Sequence, residues 1–159
     1  RDVAGALLTA GANIEDSSMT ALRGRFAMML IVSLPDSVKL AELKAALADL
    51  EQRTGLTVQS RPVSEDEVRH EPPAPDHVVT VSGADRPGIV HAVAEALADL
   101  GVSIVDMSTR LGEGEAPVYM MALEVAAGAA ADAMRQRLRA VSERLGVDVE
   151  THPLDSDIL

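Results

Sequence analysis

The residues most suited to chemistry lie in one run, Gly83-Ala84-Asp85-Arg86-Pro87-Gly88-Ile89. A β-branched stretch precedes it and a segment of helical apolar spacing follows, so it reads as a strand-to-helix loop. The first turn of a helix leaves backbone N–H groups without partners, and the helix dipole adds positive potential there. A ligand carboxylate would therefore sit on the amides near Gly88 and Ile89. Gly88 lets a ligand approach the backbone closely, and Pro87 suits a first helical turn. Asp85 is placed either to cap the helix or to accept a ligand ammonium, and Arg86 to pair with a carboxylate. An ordinary strand-helix junction would use the same residue types for a turn and a cap.

Other chemistries find no support in the pattern. Gly83 and Gly88 have the spacing of a P-loop, but Ile89-Val90 stands where Lys-Ser/Thr is needed to reach the outer phosphates. Gly112-Glu113-Gly114 lacks the third glycine of a dinucleotide loop and precedes a strand, which makes it a hairpin turn. His70, His77, His91 and His152 show no metal-ligand spacing, and His91 reads as a surface or interface residue. No Gly-x-Ser-x-Gly elbow activates a serine, and no residue set supplies a nucleophile with a base or paired acids. The chain therefore reads as a non-enzyme with no cofactor and no metal.

Charge and cysteine content narrow the partners. With 25 acidic residues against 14 Lys and Arg, the formal charge is −11, which repels a phosphate backbone unless basic residues are segregated. Arg135, Arg137, Arg139 and Arg144 share a predicted helix with Asp132 and Glu143, so that helix reads as a solvated face and not a nucleic-acid site. No cysteine is present, which excludes a disulfide framework and thiol catalysis. The longest apolar run, Phe26 to Val32, is far too short to span a bilayer, and no secretion signal opens the chain. The cytoplasm is the expected setting.

A repeat positions the loop. Residues 3–18 match residues 93–108 at a constant shift of 90, with eight of sixteen positions identical. The match resumes at a shift of 91, where Arg53, Gly55, Val58 and Pro62 fall on Arg144, Gly146, Val149 and Pro153. The second copy, 77–153, reads as strand His77 to Ser82, helix Pro87 to Leu100, strands Ser103 to Leu111 and Val118 to Val125 around a Gly112–Pro117 hairpin turn, helix Ala130 to Leu145, and strand Val147 to Thr151. The first copy, 1–62, reads as a helix to Ala10, strands Asn13 to Leu22 and Arg25 to Ser33, helix Val38 to Arg53, and strand Leu56 to Arg61. Residue 1 falls on His91, so the opening strand and loop of the first copy have no counterpart and that unit is expected to be truncated at its N-terminus. Met28, Met29, Met120 and Met121 hold equivalent strand positions and read as core or inter-unit packing. Residues 63–76, with Pro72-Pro73-Ala74-Pro75, read as a stiff, extended acidic linker, and 154–159 as a tail.

This order is the α+β, ferredoxin-like βαββαβ arrangement, a four-stranded antiparallel sheet with two helices on one face. The other face or an edge would need a second unit or a second chain, so a homodimer is expected.

The loop, its Ala- and Leu-rich helix, Gly101 and the strand opening Val102-Ser103-Ile104 resemble the ACT domain, a ferredoxin-like module that binds amino acids and regulates metabolism. Gly11-Ala12-Asn13-Ile14-Glu15-Asp16-Ser17 and Leu22-Arg23-Gly24-Arg25-Phe26 resemble the first domain of the glycine cleavage system transcriptional repressor family, a tandem ACT pair. The resemblance implies a ligand held between Gly83 to Ile89 of one unit and the start of the second strand of a neighbour, Asn13-Ile14 or Ser103-Ile104. Ser103 stands where the family often places an asparagine. The implied function is sensing of glycine or a similar small amino acid, with action through a protein partner such as a transcription activator, without contact to nucleic acid or membrane. Two alternatives stay open: the regulatory portion of a formyltetrahydrofolate deformylase or phosphoserine phosphatase, and a dimerisation module with a degenerate pocket.

Overall fold

The computed structural model describes residues 1–69, 72–112 and 117–154. His70, the tip of the hairpin turn after Gly112 and the tail beyond Leu154 lie outside the described residues. The chain forms two compact units, Arg1–Glu65 and Asp66–Leu159.

In the second unit, β3 (His77–Ala84), α4 (Ile89–Ala98), β4 (Ser103–Leu111), β5 (Val118–Ala126), α5 (Ala131–Leu145) and β6 (Asp148–Pro153) follow the expected order. A 3-10 turn, Gly128–Ala130, leads into α5. The sheet order is β4-β5-β3-β6 with every pair antiparallel. Strand residues alternate across the sheet, so Val79 and Val81 of β3 and Met121, Leu123 and Val125 of β5 face one side. They share a buried cluster with Ile89, Val93 and Leu97 of α4 and Met134, Leu138 and Val141 of α5. One sheet face thus carries both helices.

The first unit comprises α1 (Asp2–Thr9), β1 (Asn13–Leu22), β2 (Arg25–Ser33) and α2 (Leu40–Thr54). Both α2 and α5 stop at a glycine in the left-handed region, Gly55 and Gly146, as the repeat requires. Both β1 and β4 carry an irregularity at the same repeat position, between Ile14 and Asp16 and between Ile104 and Asp106. The difference lies in the sheet, which here has two strands.

The expected strand Leu56–Arg61 is absent; those residues take no regular structure. Its counterpart β6 pairs with β3 alone, and the first unit has no counterpart of β3 among its described residues, so the segment has no ladder to join. The methionines also depart from expectation. Met121 is core, but Met28, Met29 and Met120 are exposed, which corrects their reading as packing residues within the units. Met29 and Met120 point to the face opposite the helices. Met28 lies opposite Met19 in a two-stranded sheet, where no central strand helps to cover it. The linker is also corrected in part: Glu65–Arg69 forms a short helix, α3, ahead of the prolines. Acidic residues in its first turn favour that helix through the backbone dipole.

Asp76 fastens the entrance of the second unit. Its carboxylate accepts the N–H groups of Ala127 at 2.8 Å and Gly128 at 2.6 Å and lies 2.8 Å from His77 Nδ1. Its own backbone bonds Val125 and Leu154. The Ala127 hydrogen bond, then the His77 contact, lower its pKa from 3.8 to about 2. A depressed carboxylate stabilises the fold above the unfolded pKa and loses that contribution as pH falls through the folded value.

Two outcomes are expected. Asp76→Asn should lower stability by about 1 kcal/mol near neutral pH, a value discounted for partial exposure, with the gap to the parent closing as melts approach pH 2. Leu97→Ala, which empties a fully buried site, should cost about 2–5 kcal/mol in urea unfolding, whereas exposed Met29→Ala should fall within about 0.5 kcal/mol of the parent.

Candidate functional site

β3 delivers the loop. Gly83 and Ala84, expected in the loop, are its last two residues and pair with Tyr119 and Val118 of β5, so the loop proper is Asp85 to Gly88. Gly83 sits where a Cβ would lie 3.2 Å from the Val147 backbone and 3.0 Å from its side chain, so close packing demands glycine. Gly88 is the N-cap of α4, in the left-handed region at φ 95°, and a Cβ there would meet no atom within 4 Å. Glycine here is a backbone requirement that also leaves the helix start bare.

No side chain caps α4, and Asp85 does not act as its cap. The first-turn N–H groups therefore have no side-chain acceptor. Pro87 precedes the helix instead of opening it, because Gly88 takes the capping position. Ile89 is 2% exposed, so its side chain belongs to the core and only its backbone is offered to a ligand. Arg86 donates to the Leu145 carbonyl at 3.1 Å, where its charge complements the C-terminus of α5.

Asp85, Arg86, Gly88, Ile89, Val90, His91 and Tyr119 surround a hollow of about 450 Å³. His91 is exposed and borders this hollow. Tyr119 comes from β5 and is half-buried against the core. Burial, and secondarily the charge of Asp85, push its phenol above the ordinary value, while a hydrogen bond with Thr109 opposes the shift. Tyr119 is absent from the sequence-derived site because only strand register places it beside Gly83 and the loop. A smaller hollow of about 150 Å³ lies between α4 and α5 beside Arg137, which is already paired with Asp99 at 2.7 Å.

Ser103 and Ile104 are not brought to the loop within the unit. They pair with Ala126 and Val125, whereas Val118 at the other end of β5 pairs with Ala84. At 3.4 Å per residue, that separation is about 25 Å along the sheet. Asn13 and Ile14 open β1 in the first unit and pair with Ser33 and Val32. Both candidate pairs immediately precede a bulge, a feature that bends a strand and re-aims its side chains.

The ACT domain family model matches residues 1–61 and again 76–152. The chain belongs to the ACT domain family. Its two matches fall on the two copies of the repeat. A UPF0237 protein of Methanopyrus kandleri is 38% identical over 72 residues, covering 45% of this chain and 80% of that protein. The crystal structure of an unknown protein from Galdieria sulphuraria superposes with a TM-score of 0.71 at 28% identity, covering 96% of this chain and 88% of the other. A protein assigned as a glycine cleavage system transcriptional repressor superposes with a TM-score of 0.68 at 17% identity, covering 96% of this chain and 87% of that one, and at that identity the likeness is one of fold. Both structures therefore share the fold of this chain over most of its length.

The two loop glycines separate experimentally. Gly83→Ala should destabilise the second unit by about 1–3 kcal/mol through the Val147 clash. Gly88→Ala should cost about 1 kcal/mol from backbone strain alone. Urea unfolding of both variants checks the order.

Proposed function

We propose that the chain is an amino-acid-sensing regulator and not an enzyme, with the sensing hollow at the β3–α4 loop. What supports this reading is that Asp85 and the first residues of α4, whose N-terminus has no side-chain cap, line one hollow of about 450 Å³. The amides suit a carboxylate and Asp85 suits an ammonium, which together describe a free amino acid. Membership of the ACT family supports a regulatory role.

The output in this proposal is a protein partner, such as a transcription activator acting on glycine or one-carbon metabolism. The fold shared with an assigned glycine cleavage repressor supports that choice, and the charge of −11 argues against direct contact with DNA. Glycine or a similar small amino acid is the signal that this role implies. The proposal includes a cytoplasmic setting; no helix among the described residues is long and apolar enough to cross a membrane. It also includes a homodimer, because the loop and Ser103-Ile104 lie at opposite ends of one unit, and a second copy would bring the two together in a shared site. A dimerisation module with a degenerate pocket is the second reading, favoured by Ser103 in place of asparagine.

Calorimetry and thermal melting against the twenty amino acids test the proposal. At least one should bind, and a ligand at a hundred times its Kd should stabilise the protein by about 2.7 kcal/mol. Asp85→Ala should remove that stabilisation without lowering the melting temperature of the free protein, since Asp85 is exposed and does not cap α4. Absence of binding by all twenty would leave the dimerisation module as the standing reading.

A further inference from the structure

We infer that the hollow beside the β3–α4 loop selects an amino acid with an apolar or aromatic side chain over glycine, and that Tyr119 is its specificity-determining residue. The inference rests on the amino-acid-sensing reading above and keeps its site, but replaces glycine as the ligand with a larger amino acid.

Size gives the first argument. The hollow measures about 450 Å³ and opens to solvent, a volume within the range of small-molecule sites. Glycine, a carboxylate and an ammonium on one carbon, would fill only a small part of it. A side chain is the remaining part of the ligand that could occupy the rest.

The walls give the second. The amides of α4 and the Asp85 carboxylate account for the two charged groups of an amino acid. What remains is Val90, 38% exposed, His91 and the ring of Tyr119. Covering Val90 and the Tyr119 ring removes apolar surface from water, a gain available to a leucine or phenylalanine side chain and not to glycine. The phenol oxygen lies 3.9 Å from Met121 Sδ and also bonds Thr109, both within the sheet, so the ring is held against the sheet.

Position gives the third. Tyr119 stands on β5, opposite Gly83 and beside the loop, but on a different element from the α4 amides and Asp85 that would bind the charged groups. It can therefore change which side chain fits while the α4 amides and Asp85 keep their places. Tyr119 pairs with Leu111, and the corresponding pair in the first unit is Phe26 with Ala21. The chain has one Tyr and one Phe and no Trp, so its two aromatic rings stand at the same strand position of the two copies.

Titration calorimetry of the full chain with glycine, alanine, valine, leucine and phenylalanine tests the inference. Leucine or phenylalanine should bind about tenfold or more tightly than glycine. Tyr119→Ala should lower leucine and phenylalanine affinity about tenfold more than glycine affinity, and Tyr119→Phe, which keeps the ring, should retain the preference. Val90→Ala, at an exposed position that the fold does not need, should weaken the preference in part and serves if Tyr119→Ala fails to fold. Glycine binding most tightly, or Tyr119 and Val90 variants lowering every affinity equally, would overturn the inference and leave amino-acid sensing intact. Failure of all five to bind the parent protein would overturn the inference, and binding of another amino acid would still preserve the broader reading.

Discussion

A strand with a neighbour on each side commits its backbone donors and acceptors to both, and everything attached to its ends inherits that rigidity. β3 is such a strand, bonded to β5 on one edge and β6 on the other. Its inward side chains, Val79 and Val81, are 0% and 1% exposed, and its last residue hands the chain to the loop that starts α4. The first unit shows the dependence from the other side. It has the helices and the hairpin, but without a counterpart of β3 its buried residues among those described are Ala6, Leu7, Leu43 and Leu50. Residues 56–61 follow α2 at the correct distance and still form no strand. Strand propensity there is insufficient when no partner offers a ladder.

The candidate site depends on the same strand at closer range. Gly83 must approach Val147, and that contact ties the end of β3 to the residue just before β6. Arg86 ties the loop to the last turn of α5. The loop is thus held from three elements while Gly88 leaves the start of α4 uncovered. Such an arrangement fixes the walls of the hollow, and in the proposed reading a fixed wall lowers the ordering cost of binding.

Much of this was legible beforehand because periodicity and repetition act locally. The boundaries of β1, β2 and β4 agree with the alternation and turn signals in the sequence, and the glycine stops at Gly55 and Gly146 fall at equivalent places. The misreadings share a non-local cause. Leu56–Arg61 has the composition of a strand but lacks a partner, and Met28 has the pattern of a core residue but lacks a cover. Asp85 and Arg86 are recognisable as loop residues, yet the attachment of Arg86 to Leu145 spans 59 positions of sequence. Tyr119 is visible only once β5 is laid against β3 in register. Local signals name elements; a site assembled from distant elements requires their pairing.

The bond from the Leu154 N–H to the Asp76 carbonyl, at 2.8 Å, brings the entrance and the exit of the second unit side by side. A unit entered and left at one spot behaves as a cassette: it can be spliced into a longer chain, or copied beside itself, without stretching its host. Its own core stays closed whatever is attached, because the seam is sealed by backbone bonds at Asp76 and not by the flanking sequence. Gene duplication of such a cassette needs only a tether, and the two copies are then free to diverge at positions that do not hold the seam.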